Sequence, residues 1–386
     1  MHLRTLLHLA AGATLGIALA VAPSVPVHPV APPEGRGAAS SIDAAAAATP
    51  PAGAQDGAPS TDGALAASSA PLNLPPGSPY VALGDSYAAG YGLGHPTRRP
   101  VPACGQSKLD YPHRLAAALH LDLTDVTCAG ATTADVVAKR QNGAPPQITA
   151  LGAGTALVTL TVGGNDAGLF SQAFDCLALS PKGPVISGRD APSCRSRLVH
   201  DGTDALAAKV AGPVSNGIVK TIRAVQRAAP NARIVLVGYP AIFPNQKDIP
   251  KGGCFRSALD FGALAGFFPS NSFPFTTTDV AYLHNVQALL DQVSSEAARA
   301  TGITYVSTFG ASEHRSACDK HGALVSGVTL RSSGNFRRIQ IVPGSLHPTT
   351  AGAAFMASKV AAALRSPTTA PSAPSGSHAA SSPGSA

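Results

Sequence analysis

Four residues of this 386-residue chain have the types that acyl transfer requires, and each falls where a regular element begins or ends. Ser86 follows the apolar run Val81-Ala82-Leu83 through Gly84-Asp85 with no spacer. Gly130 follows Leu121 to Cys128, and Asn165 follows Leu157 to Val162 through Gly163-Gly164. His347, in Leu346-His347-Pro348, directly precedes a last helical run. A serine hydroxyl that attacks a carbonyl needs a base to take its proton, and histidine is the usual one. The resulting oxyanion needs donors already aimed at it, here the Ser86 and Gly130 backbone N–H groups and the Asn165 side-chain amide. A glycine at 130 lets the backbone approach with no side chain in the way. Singly, each residue reads more readily as a cap, a turn or a core histidine. In this order, at successive strand ends, the set points to a serine hydrolase.

The elements that must position this set are legible as alternating strands and helices. Tyr80 to Leu83 reads as a first strand, and Asp110 caps a helix through Tyr111 to Ala118 with proline near its first turn. Leu121 to Cys128 reads as a second strand, and Gly130 to Thr133 open a helix through Ala134 to Lys139. Leu157 to Val162 is β-branched and nearly continuous, as a strand buried on both faces should be. One long helix is expected over roughly Asp204 to Ala229, followed by a strand over Arg233 to Gly238. Asp279 to Ala300 carries a helical apolar stripe, Ile303 to Val306 is a short strand, and Thr349 to Leu364 a last helix. Alternation of this kind implies an α/β fold with a parallel sheet covered on both faces, and such sheets bind ligands at their carboxyl edge.

The two ends of the chain differ in composition from this core. Residues 1–22 read as a secretory signal, with His2 and Arg4 before an apolar stretch and Ala20-Val21-Ala22 as a cleavage site. Export into the extracellular medium is the expectation, and an uncleaved membrane anchor at the cell surface the alternative. Residues 23–78 and 367–386 are rich in Ala, Pro, Gly and Ser, which cannot bury enough apolar surface to fold. The expected domain is therefore 79–366. Two basic and four acidic residues lie outside it, so the net charge of +7 for the chain becomes +9 for the domain. The charges are scattered and form no stripe, which argues against nucleic acid as a partner. A monomer is expected. Six cysteines, at 104, 128, 176, 194, 254 and 318, agree with an oxidising compartment. They allow 15 pairings, among which the short separations of the first two couples favour nearest neighbours. Each closed loop contributes about 3 kcal/mol in the chain-entropy description. No Cys-x-x-Cys or Cys/His ligand spacing occurs, so no metal and no cofactor are expected.

With these residues in view, the chain resembles the SGNH hydrolases, the GDSL-type lipases and esterases, and within them the secreted actinobacterial branch with three disulfides. Gly84-Asp85-Ser86-Tyr87 matches the nucleophile block, Cys128-Ala129-Gly130-Ala131-Thr132-Thr133 the glycine block, Gly163-Gly164-Asn165-Asp166 the asparagine block, and His347-Pro348 the histidine block. The resemblance spans roughly residues 79–365. It implies a three-layer flavodoxin-like α/β/α sandwich, hydrolysis of carboxylic esters, and the pairings Cys104–Cys128, Cys176–Cys194 and Cys254–Cys318. One position departs from the pattern. Many members carry an acid three residues before the histidine, where this chain has Gly344. Glu313 and Asp319 are the nearest upstream carboxylates. The expectation is a Ser86–His347 dyad, with the Gly344 carbonyl orienting the imidazole.

For the substrate, the segment 261–275 holds Phe261, Phe267, Phe268, Phe273 and Phe275, five of the chain's 12 phenylalanines. Phe267, Phe268, Phe273 and Phe275 are candidate acyl-chain contacts in a lid or platform; a loop packed on the core is the alternative. Basic charge beside an apolar loop suits a lipid surface, so triacylglycerol or phospholipid acyl esters lead as substrates over other small esters. Deacetylation of a polysaccharide follows, and a non-catalytic surface-binding module that kept the fold is the remaining alternative.

Overall fold

The computed structural model of the chain describes residues 74–187, 191–259, 268–332 and 339–365. The expected signal segment, nearly all of 23–78 and the tail from 367 lie outside these residues. So do Phe261 and Phe267. In chain order the elements that carry the site are β1 (Pro79–Gly84), α1 (Ser86–Ala89), α2 (Tyr111–Leu119), β2 (Asp122–Asp125), α3 (Thr133–Val137), β3 (Leu157–Thr161), α4 (Gly164–Ala167) and α5 (Leu169–Asp175). There follow α6 (Ser215–Ala228), β4 (Arg233–Val237), α7 (Thr277–Thr301), β5 (Thr304–Val306) and α8 (Thr350–Arg365).

The five strands form one parallel sheet in the order β2-β1-β3-β4-β5. Val81 lies between Thr124 and Val158, and Leu160 pairs with Leu236. Every residue of β3 is buried, which explains its unbroken apolar and β-branched sequence. Helices cover the sheet, with α2 packed on α8, and α6 on both α7 and α3. This is the doubly wound order 2-1-3-4-5, in which the order of strand succession reverses between β1 and β3. Ser86 leaves β1 and Asn165 leaves β3, so the two flank the crevice opened by that reversal. Buried polar pairs sit within the core. Tyr80 Oη bonds Thr159 Oγ1 at 2.7 Å, and Tyr111 Oη bonds Thr161 Oγ1 at 3.0 Å.

Two elements differ from their expectations: β2 ends at Asp125, three residues short of Cys128, and the long helix is broken. The single helix expected over 204–229 is interrupted: a short helix, Ala205–Lys209, passes through a π turn at Val210–Val214 before α6 begins. Pro213 lies inside that turn, and proline supplies no N–H to the helical ladder and clashes with the preceding turn. Among the described residues no helix is long and apolar enough to cross a membrane.

Candidate active site

Gly84 and Asp85 set the serine in place. Gly84 has φ +143°, and a side chain there would collide with the Thr161 backbone of β3. Its N–H donates to Gln147 Oε1 at 2.7 Å and its carbonyl accepts from Gln147 Nε2 at 2.9 Å, so one amide side chain clamps both backbone groups. Asp85 caps α1 by accepting from the Tyr87 N–H at 2.9 Å, and its other oxygen accepts from Tyr239 Oη at 2.7 Å. Burial pushes the Asp85 carboxyl up to about 7, against the opposing pull of the Tyr239 hydrogen bond. Ser86 is the first residue of α1, so its N–H has no acceptor within the helix.

The glycine and asparagine loops are stitched together beside it. Asn165 Nδ2 donates to the Ala131 carbonyl at 3.0 Å. Asp166 accepts from the Thr133 N–H with both oxygens, at 3.1 and 3.0 Å, and from its hydroxyl. Gly130 has φ +85°, and among the described residues its N–H reaches no backbone or side-chain acceptor. Thr132 and Asp135 form a capping box that starts α3 immediately afterwards.

His347 is held by the nucleophile block itself. Tyr87 Oη donates to the Leu346 carbonyl at 2.6 Å, and the Tyr87 ring lies 5.2 Å from the imidazole, centroid to centroid. Phe170 packs against the same imidazole at 4.6 Å and Tyr91 at 5.4 Å. Leu346 adopts a left-handed φ of 58°, uncommon for leucine, and its N–H is fixed by the Ser326 carbonyl. Ser86 is 5% exposed and His347 7%. Ser86 Oγ and His347 Nε2 are not hydrogen-bonded to each other, an arrangement that tightens in many hydrolases only when substrate arrives. Neither atom is sealed off: among the described residues the buried side-chain atoms without a partner are Asp125 Oδ2 and Gln141 Oε1.

The carbonyl that faces the imidazole is that of Ser345, which lies 2.8 Å from His347 Nδ1. This corrects the expectation for Gly344. The Gly344 carbonyl instead accepts the His347 backbone N–H at 3.1 Å, closing a turn that directs it away from the ring. Glycine is required at 344 for a different reason. Its φ is +91°, a backbone conformation that side-chain-bearing residues rarely adopt, while the close approach of its backbone is what requires glycine at 92, where a side chain would overlap it. The two upstream acids are engaged elsewhere. Glu313 Oε1 is 2.6 Å from His284 Nε2, and Asp319 accepts the His321 and Gly322 N–H groups of its own turn. Burial holds the His347 imidazole down at about 4, only partly offset by the Ser345 carbonyl.

A small apolar cavity of about 30 Å³ lies beside these residues. Tyr87, Gly164, Phe170, Ile242, Phe243 and Leu283 are among its lining residues. Of the phenylalanine segment, Phe273 and Phe275 follow the alternative of a loop packed on the core. Phe273 and Phe275 are fully buried, stack edge-on to one another at 5.0 Å and pack against Phe243, so they are core residues and closed to an acyl chain. Phe268 is partly buried against the same core. The residues that sequence reasoning passed over are Gln147, Tyr239 and Phe170, together with the part played by Tyr87. Tyr239 had a signal, being a polar residue at the carboxyl end of β4; Gln147, 63 positions from Gly84, had none.

All three disulfides are formed, Cys104–Cys128, Cys176–Cys194 and Cys254–Cys318, the pairs implied by the family resemblance. Comparison with known proteins agrees with the geometry. The GDSL-like Lipase/Acylhydrolase family matches residues 82–355. Lipase 2 of Streptomyces coelicolor is 36% identical over 256 residues, covering 66% of this chain and 78% of that one. The crystal structure of phospholipase A1 from Streptomyces albidoflavus superposes with a TM-score of 0.53 at 25% identity, covering 74% of this chain and 99% of that one. An extracellular lipase from Streptomyces rimosus shares the fold, with a TM-score of 0.53 at 24% identity over 74% of this chain and 99% of that one. A serine at the β1 turn, an asparagine at the β3 turn and a histidine before the last helix are thus the blocks of a known fold, and the chain belongs to the GDSL-like lipase/acylhydrolase family of SGNH hydrolases, the carboxylic ester hydrolases.

Proposed function

We propose that the chain is an exported lipase that hydrolyses acyl esters of lipids through an acyl-enzyme on Ser86. His347 Nε2 takes the Ser86 proton as Oγ attacks the ester carbonyl. The Ser86 and Gly130 N–H groups and Asn165 Nδ2 stabilise the oxyanion, and His347 then protonates the departing alcohol. Water repeats the sequence on the acyl-enzyme with the same base. The Ser345 carbonyl keeps the proton on Nδ1, so that Nε2 is the free base. Fixing the tautomer is the larger requirement, since a wrongly protonated histidine costs about 10⁴ in kcat in the serine-protease case.

The observation that carries the lipid reading is the apolar cavity, whose walls begin at the residues flanking Ser86 and Asn165. A polysaccharide ester would call for polar groups there. Three disulfides suit an oxidising, extracellular setting. Assays on p-nitrophenyl esters of graded length test the reading. Ala173→Leu narrows the cavity and should cut turnover of decanoate esters by roughly ten- to a hundredfold while acetate esters stay within about threefold. Equal losses on both would assign the cavity to packing alone.

The dyad makes a second prediction. Glu313→Gln and Asp319→Asn should each leave kcat within about threefold of wild type, because neither acid faces His347. Protonation of a base that titrates near 4 removes activity only below that pH, so the acid limb of kcat/KM should lie well under the ordinary histidine value of 6.5. A limb near 6.5, or a loss of about a hundredfold in either variant, would reinstate a side-chain acid.

A further inference from the structure

On the far side of the nucleophile turn, three titratable side chains converge where β2 ends and α2 begins. Asp110 is fully buried and caps α2, accepting the His113 N–H at 2.7 Å. Both its oxygens also face His113 Nδ1, at 2.8 and 3.0 Å. That much is an ordinary cap with a histidine attached. Asp125 makes it unusual. Its Oδ1 accepts from the Thr127 N–H, the Thr127 hydroxyl and Gln106 Nε2, which locks the carboxylate. Its Oδ2 is buried with no hydrogen-bond partner, in a side chain only 6% exposed, and stands 3.6 Å from His113 Nδ1. A buried carboxylate oxygen left without a partner costs stability and calls for an explanation.

We propose that Asp110, Asp125 and His113 form a binding site for one divalent transition-metal cation of the zinc class. One ligand atom from each residue lies within 4.8 Å of the other two. Metal–ligand bonds of about 2.0–2.1 Å at tetrahedral angles place ligand atoms roughly 3.3 Å apart, between the 2.8 and 3.6 Å found from Nδ1. Two carboxylates and one imidazole suit zinc, whereas calcium takes six to eight oxygens. The His113 side chain is 30% exposed, which gives an ion a path in and leaves room for water as a fourth ligand. The site is structural. A side chain on Gly90, the residue that ends α1, would meet Asp110 Cβ at 2.7 Å, so an ion at Asp110 braces the turn that carries Ser86.

The test is titration calorimetry of the full chain, untagged and dialysed free of metal, with zinc chloride, alongside thermal melts with and without zinc. One saturable site is expected, with Tm raised by about 5 °C at a hundredfold excess over Kd. Asp125→Asn keeps Oδ1 for Thr127 and Gln106 while removing the charge, and His113→Ala removes the nitrogen ligand. Each should weaken zinc at least about tenfold, as loss of a metal ligand or its support does, and abolish the Tm shift. His284→Ala, away from this site, should bind as wild type. Absence of saturable binding in the wild type overturns the proposal, as does wild-type affinity in either ligand variant. Should Asp125→Asn fail to fold by circular dichroism, His113→Ala decides.

Discussion

Ser86→Ala should abolish ester hydrolysis while leaving the fold untouched. Removing the nucleophile of a serine hydrolase lowers kcat by as much as about 10⁶, the residue being the oxyanion hole acting on water. The structure gives a reason to expect no structural cost. Among the described residues Ser86 Oγ holds no neighbour by a hydrogen bond, whereas the groups that shape the turn belong to Gly84, Asp85 and Tyr87. Alanine keeps the Cβ and the backbone N–H at the head of α1, so both the helix start and that oxyanion donor survive. Turnover of p-nitrophenyl butyrate, labelling by a fluorophosphonate and a thermal melt separate the two effects. Unchanged Tm with lost labelling and lost turnover is the expected triad of results. Activity within tenfold of wild type would mean that another group attacks the ester.

The strand ends that carry this chemistry were legible because local pattern determines them. A buried parallel strand is an apolar run, and the turn after it is necessarily at the sheet edge; Ser86 and Asn165 could be placed on that basis alone, whereas Gly130 follows a short polar edge strand that ends at Asp125. Groups that reach the site from a distance left little or no local trace. Gln147 clamps Gly84 from 63 residues away, and Tyr239 reaches Asp85 across 154. The Asp110–His113–Asp125 cluster escaped notice for the same reason: two members share a helix start, but the third arrives from β2. The phenylalanine-rich segment left two readings open, a lid and a packed loop. Composition cannot tell a lid from a core, and Phe273 and Phe275 went to the core. The orienting carbonyl was off by one residue, since a left-handed Leu346 and a turn through Gly344 rotate which oxygen meets the imidazole, and neither is visible in Pro343-Gly344-Ser345-Leu346.

Asn165→Ala should lower kcat by about 10²–10³ with KM little changed. An oxyanion donor acts on charge that exists only in the transition state, so its loss falls on the chemical step. Asn165 is prepared for that task. Its Nδ2 donates one proton to the Ala131 carbonyl at 3.0 Å, which fixes the amide plane against the loop that carries Gly130 and leaves the second proton without an acceptor among the described residues. Asp166 ties the same two loops through Thr133, so the loop geometry does not depend on Asn165. The alanine variant should therefore lose only about 1 kcal/mol of stability, that of one hydrogen bond. Asn165→Asp sharpens the test. It keeps the shape but replaces the donor with a negative charge facing the oxyanion, and should be no better than alanine. A loss confined to KM in the alanine variant would make Asn165 a substrate-binding residue, and an aspartate variant as active as wild type would remove the amide from the oxyanion hole altogether.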